Sequence, residues 1–125
     1  MRSVLMALLV LLPATPALAE RSYSSEKGVT HDCAKEPEII INNAGGSYTF
    51  TGACTKLTVN GSDNRIKAES VVRILCNGAK NAIEVDAVDK AAVNGNDNTL
   101  TYKRGINGKP KVTAIGANNK LNQVK

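Results

Sequence analysis

Apolar and polar residues alternate along most of the chain, and the alternating stretches recur at a regular spacing. The motif apolar-Asn-Gly-x-x-Asn-x-apolar occupies residues 59–66, 76–83 and 93–100, with weaker copies at 41–48 and 114–121. A period of two on both sides of each motif is typical of a strand, a turn and a second strand with one buried face. The pattern therefore predicts an all-β protein built of repeats.

The repeats align as columns when one position in each motif is taken as a reference. The reference positions are spaced 18, 17, 17 and 21 residues apart and are Asn43, Gly61, Gly78, Gly95 and Gly116. The columns four and two residues before the reference, and five and seven after it, hold 20 residues, of which only Gln123 is plainly polar. Four aliphatic columns predict one continuous core that successive repeats share.

Asparagine recurs in two further columns, which flank the turn. The column just before the reference holds Asn60, Asn77 and Asn94, and the column three residues after it holds Asn64, Asn81 and Asn98. In a parallel solenoid, residues one repeat apart stack about 4.8 Å apart, so that like amides can form a hydrogen-bonded ladder. We therefore expect a short parallel β-solenoid of about five coils over residues 39–125. An antiparallel β-meander stays open as the alternative, because Asn-Gly also forms hairpin turns.

Three cysteines allow at most one intramolecular disulfide. Cys54 and Cys76 fall in columns five positions apart, which exceeds the ~4.4–6.8 Å Cα separation of a disulfide. Cys33 precedes the regular repeats and is free to approach Cys54. We therefore expect a Cys33–Cys54 disulfide that pins residues 20–38 as a cap over the first coil. We expect His31 on the surface of this cap, and Cys76 as a small residue of the core.

The first 19 residues have the form of a cleavable signal peptide. Arg2 precedes an apolar run over residues 4–12, and Ala17-Leu18-Ala19 is a small-x-small cleavage site. The run of nine residues is short of the roughly 20 that a membrane-spanning helix needs, so no transmembrane anchor is expected after cleavage. The sequence thus predicts export to the periplasm or the medium, a setting that permits disulfides.

Charge is distributed unevenly along a chain whose formal net charge is +5. Residues 99–125 contain six basic residues and no acidic one. Within this stretch, residues 103–111 break the repeat and are expected to project as a loop, and loops carry function more often than the repeated strands do. We expect this basic loop to contact an anionic envelope glycan, a lipid headgroup or an acidic protein, and its predicted binding residues are Lys103, Arg104, Lys109 and Lys111. Aromatic residues make up 3% of the chain, too few for the stacking that single-stranded nucleic acid binding uses.

Catalytic chemistry has little support in the sequence. A single histidine, His31, excludes a histidine-rich metal site, and no cofactor motif is present. Asp63 and Asp97 share a turn position, but Lys80 stands between them in the predicted stack and opposes a calcium site. We therefore expect no enzyme, no metal and no cofactor. The alternative is a small carbohydrate-active enzyme, or its accessory domain, that uses paired carboxylates.

The repeats also carry a family resemblance. The run from Cys33 to about Asn122, with Gly52-Ala53-Cys54 and the repeated Val-Asn-Gly-x-x-Asn, resembles a bacterial secreted family known as domain of unknown function 3060. The resemblance implies a short exported all-β repeat domain of bacterial origin, and it implies no activity and no site residue. Together these inferences predict an exported, non-catalytic binding or structural module of the bacterial cell envelope.

Overall fold

The computed structural model describes residues 20–24 and 26–124, and the predicted signal peptide, residues 1–19, lies outside the described residues. No helix capable of crossing a membrane occurs in the described part of the chain. The described residues form nine strands, all in one sheet. They are β1 (Glu20–Tyr23), β2 (Val29–Asp32), β3 (Glu38–Ala44), β4 (Ser47–Ser62), β5 (Arg65–Ala79), β6 (Ala82–Asn96), β7 (Thr99–Gly105), β8 (Lys111–Ala117) and β9 (Lys120–Gln123).

Every strand pairing is parallel, and each joins residues one repeat apart. The long strands β4, β5 and β6 each bend, so that each belongs to two coils. Strands β1, β3, the second halves of β4 to β6, and β8 form one file, whose outward side we call face A. Strands β2, the first halves of β4 to β6, β7 and β9 form a second file, whose outward side we call face B. The predicted parallel β-solenoid is confirmed, and the antiparallel meander is wrong.

The described part of the chain forms six coils, because residues 20–37 form one coil below the five that the repeats predicted. Strand β1 pairs with β3, and β2 pairs with the first half of β4. The predicted cap segment is therefore itself built of strands that continue the stack. The predicted disulfide is present between Cys33 and Cys54, with a Cα–Cα distance of 5.0 Å. It ties this first coil to the second.

The aliphatic columns form the core through the first five coils. Side chains such as Ile41, Val59 and Val93 are essentially inaccessible to solvent. In the sixth coil the same columns are only partly covered, since Ala114 is exposed and Leu121 is half-buried. The reason is geometric: among the described residues, β8 and β9 pair with the coil below and with nothing above.

The expectation that His31 lies on the surface is wrong. His31 is 7% exposed and packs edge-on against Phe50 of the next coil, with ring centroids 5.7 Å apart. Its Nε2 donates to the Glu36 carbonyl at 2.9 Å, and its Nδ1 accepts from the Tyr23 hydroxyl at 2.8 Å. The first coil repeats the inward columns of the others, so His31 occupies a position that holds an apolar or aromatic residue in the next four coils.

The asparagine columns form two ladders. In the inner ladder the Nδ2 of each asparagine donates to the Oδ1 of the next coil at 3.0–3.1 Å, and its members are Asn64, Asn81, Asn98 and Asn119. In the outer ladder each Nδ2 donates to the Oδ1 of the preceding coil at 3.0–3.1 Å, and its members are Asn42, Asn60, Asn77 and Asn94. The amide dipoles of the two ladders therefore point in opposite directions along the stack, so that their fields partly cancel.

Glycine separates the two ladders for a steric reason. Gly78 has a φ of 140°, and a Cβ placed on it would overlap the carbonyl oxygen of Gly61 in the preceding coil. The same overlap recurs one coil higher at Gly95, against the carbonyl of Gly78. Successive coils approach so closely at this corner that only a residue without a side chain fits.

Candidate anion-binding face

The four residues of the predicted basic loop lie in different surroundings. The Nζ of Lys103 is 3.5 Å from the Oδ1 of Asp86, in an ion pair about half exposed to solvent. Arg104 is exposed next to Ala87, and Lys109 is exposed in the segment between β7 and β8. Lys111 begins β8 and lies beside Lys90. Because β7 belongs to face B and β8 to face A, the loop crosses from one face to the other.

Lys111 is the last member of a column of basic residues on face A. The strand registers join Lys56 to Arg73, Arg73 to Lys90, and Lys90 to Lys111, one residue from each of four consecutive coils. We call these four residues the basic rank. All four side chains are exposed, and parallel strands place neighbouring members about 4.8 Å apart along the stack. The rank is therefore a straight line of positive charge parallel to the solenoid axis.

A groove of about 350 Å³ runs along the basic rank. Its lining combines the four cations with less polar residues of the adjoining columns. Leu75 and Ala92 are half-buried and stand two positions after Arg73 and Lys90, whereas Thr113 contributes a hydroxyl beside Lys111. The groove thus presents a row of charges on one side and a small apolar surface next to it.

Acidic charge meets the basic rank only at its lower end, where Glu38 lies next to Lys56 in the same column. The described residues form two ion pairs, Arg21 with Glu36 and Lys103 with Asp86, and neither includes a rank member. Two unit charges at the strand spacing repel by about 1 kcal/mol in water before salt screens them. A chain of anions bound along the rank would replace this repulsion with attraction. The arrangement therefore favours a ligand that carries several negative charges in a line.

A cluster of carboxylates lies on face B. Glu69, Glu84 and Asp86 surround a groove of about 220 Å³ that also contains Lys67. The Oε1 of Glu69 accepts a hydrogen bond from the backbone N–H of Gly52 at 2.8 Å, and Asp86 pairs with Lys103. Within residues 20–24 and 26–124, no three His, Cys, Asp or Glu side chains are grouped closely enough to hold a metal ion.

Sequence reasoning missed three of the four rank residues. It singled out Lys111 as part of a loop, but not Lys56, Arg73 or Lys90. The signal was present, because each of the four residues lies five positions before its reference glycine. Charge was summed over segments of the chain, whereas a solenoid brings together residues that share a column. Reading the charged residues by column would have identified the rank.

The fold and this face define a class, a short parallel β-solenoid with a line of basic residues along one side. The sequence model of a family described as "Protein of unknown function (DUF3060)" matches residues 41–84 and 74–118. These matches together cover more than half of the chain, so the chain belongs to this family, as the repeats indicated. No curated protein and no solved structure matches the chain.

Proposed function

We propose that this protein is an exported, non-catalytic binding module of the bacterial cell envelope and that it holds an anionic partner on the basic rank. The observation that carries the proposal is the stacking of Lys56, Arg73, Lys90 and Lys111 on consecutive coils, where none of them forms an ion pair among the described residues. Folding gains nothing from four adjacent like charges. The same four charges would attract and hold a polyanion.

Export is part of the proposal and has two supports. Residues 1–19 have the sequence features of a signal peptide. The Cys33–Cys54 disulfide fits an oxidising compartment better than the cytosol. The test is to produce the full chain in a bacterial host and to measure the mass of the product in each cell fraction. A periplasmic or secreted product that begins at Glu20 is expected, whereas an uncleaved cytosolic product would contradict export.

The basic loop has a secondary role in this proposal. Lys111 belongs both to the loop and to the rank, and Lys109 is exposed two residues before it. Lys103 already faces Asp86, so its charge is partly balanced. We expect Lys109 to add to the binding of a partner that extends past the last coil, and Lys103 and Arg104 to contribute less.

Binding is tested with a variant in which glutamine replaces all four rank residues. Retention is measured on an immobilised acidic polysaccharide at two salt concentrations. The rank variant should lose at least tenfold in affinity, and the retention of the natural chain should weaken as salt rises. The matched control replaces one arginine and three lysines elsewhere on the surface, so that the net charge changes equally. Those control residues are Lys27, Lys35, Arg65 and Lys67, all of them exposed.

The control decides between a site and general positive charge. If it loses as much affinity as the rank variant, binding follows net charge and the rank is not a site. If neither variant loses affinity, the anionic partner lies elsewhere or does not exist. Retention that fails only in the rank variant is the outcome that the proposal requires.

A further inference from the structure

We infer that the anionic partner is a linear acidic polysaccharide that lies along the solenoid axis with about one acidic sugar to each coil. This inference rests on the proposed function and adds to it the chemical class and the direction of the ligand. Three observations support it. The basic rank is straight, Leu75 and Ala92 form an apolar strip beside it, and Arg73 is the single arginine within it.

The straightness of the rank selects an extended ligand. The registers between coils are unbroken at this column, so each rank residue lies directly above the one before it. Four positions at the strand spacing cover about 14 Å. A single phosphate or carboxylate would reach one or two of these cations and leave the others uncompensated. A polymer with an acidic group on every sugar ring supplies a charge for each of the four, because a ring in an extended chain is about as long as the spacing between strands and long lysine and arginine side chains can reach to either side of it.

The apolar strip selects a sugar chain over other polyanions. Leu75 and Ala92 are half-buried beside the rank, and Thr113 adds a hydroxyl at its end. A sugar ring offers C–H groups that pack on Leu75 and Ala92, together with hydroxyls that can hydrogen-bond to Thr113. Single-stranded nucleic acid would need aromatic platforms. The aromatic side chains of the described residues are buried or half-buried, and none lines this groove.

A lipid surface fits the same face poorly. Peripheral membrane binding relies on a broad basic surface with exposed aromatic or aliphatic side chains that enter the headgroup region. The rank is one residue wide, and its apolar neighbours Leu75 and Ala92 are half-buried in the groove. Such a groove accommodates a single chain better than it accommodates a plane of headgroups.

Arg73 makes the chemistry of the acidic group testable. A guanidinium group binds a carboxylate through two parallel N–H···O hydrogen bonds, whereas a lysine ammonium acts as a point charge. Arg73 stands inside the rank, between Lys56 and Lys90. For a uronic-acid chain, Arg73→Lys should therefore lower affinity by roughly three- to tenfold although the charge is kept. Arg65→Lys, the same change at an exposed position of face B, is the matched control and should leave affinity unchanged.

The experiment measures binding of galacturonate oligomers of two to six sugars to the full chain recovered from the exported fraction. Affinity should rise with each added sugar up to four and then level off. For four neutralised charges the plot of log K against log salt should have a slope of about −3, and each single rank substitution by glutamine should reduce its magnitude by about 0.7. Neutral galactose oligomers, poly-glutamate and vesicles containing anionic lipid are the comparison ligands.

The outcomes separate this inference from the proposed function. If poly-glutamate or the vesicles bind more tightly than the acidic sugars, and the rank substitutions abolish that binding, the rank binds anions but the ligand class is wrong. If affinity stops rising at two sugars, the axial arrangement is wrong. If no anionic ligand binds, both the inference and the proposed function fall.

Discussion

The inner asparagine ladder and the basic rank are both columns of like residues, and stacking affects them in opposite ways. Asn64, Asn81 and Asn98 are buried, and each uses the coil above as a hydrogen-bond partner. The rank residues of face A are exposed, and each has a neighbour of the same charge. The same registers produce both columns.

The difference follows from the chemistry of the stacked group. An amide contains a donor and an acceptor, so a file of identical amides satisfies itself. An ammonium or guanidinium group is a donor only, so a file of cations needs an acceptor from outside. Columns of amides stabilise a solenoid, whereas columns of cations are candidates for a binding site. The predictions below test this contrast from the largest expected effect to the smallest.

Gly78→Ala should have the largest effect on stability. The new methyl group would overlap the Gly61 carbonyl, at a φ of 140° that L-residues rarely adopt, and it would push apart the coils that align the ladder. We expect a loss of about 3 kcal/mol or more in the free energy of unfolding, measured by urea denaturation. Gly108→Ala is the control, because Gly108 also has a positive φ, of 80°, but nothing lies within 4 Å of a Cβ at that position, so that only the backbone strain remains. Equal losses in the two variants would mean that coil spacing is not the cause.

Asn81→Ala should cost somewhat less, about 2–3 kcal/mol. The substitution removes the acceptor for the Asn64 N–H and the donor to the Gly61 carbonyl, both at 3.1 Å, and it leaves buried groups unpaired. Asn77→Ala breaks the outer ladder, which is partly exposed, and should cost about 1 kcal/mol or less because water can replace the amide. Thermal unfolding of the two variants gives the comparison. A larger loss of stability in Asn77→Ala than in Asn81→Ala would show that the outer ladder, not the inner one, contributes more to the stability of the fold.

Alkaline pH should destabilise the protein, because the ionisable side chains of Cys76, Tyr23 and Tyr48 are buried in its core. Burial raises the pKa of the Cys76 thiol from 9.0 to about 11, and burial also raises the pKa of Tyr23 and of Tyr48. Between pH 9 and 11 the thiol ionises in the unfolded chain but stays protonated in the folded one. The contribution of Cys76 is therefore complete below pH 9 and is lost by about pH 11, a change of about 2 kcal/mol.

The control for this prediction is Cys76→Val, which matches Val59 and Val93 in the same column. Urea denaturation from pH 8 to 11 should show a smaller alkaline loss in this variant, since the tyrosines remain and the thiol is gone. Parallel pH profiles for the natural chain and Cys76→Val would contradict a protonated buried thiol.

Lys90→Gln should have the smallest effect and the opposite sign. Removing one charge between Arg73 and Lys111 relieves repulsion, so we expect a gain of a few tenths of a kcal/mol at low salt that disappears at high salt. Lys67→Gln on face B is the control, because Lys67 lies next to Glu84 and its loss removes an attraction. A clear destabilisation by Lys90→Gln at low salt would show that the rank supports the fold, which would weaken its interpretation as a binding site.

Much of this architecture was accessible from the sequence because one period controls it. The spacing of 17 residues predicted which aliphatic residues are buried in the second to fifth coils and that Cys33 joins Cys54, whereas the last coil, with nothing above it among the described residues, leaves Ala114 exposed. His31 was misjudged because the first coil lacks the Asn-Gly motif, so its place in the inward column could not be recognised. The basic rank was missed because its members are far apart in the chain and come together only in the stack.

The sequence by itself determined the repeat, the turn residues and the core, since hydrophobic alternation and asparagine-glycine corners are local patterns that admit few folds. Only the tertiary structure decided which polar residues become neighbours across coils. It placed Lys103 against Asp86 but Lys111 above Lys90, although both lysines come from one basic segment. Electrostatic interactions depend on distance in space, and the parallel registers, not the order of the chain, set those distances.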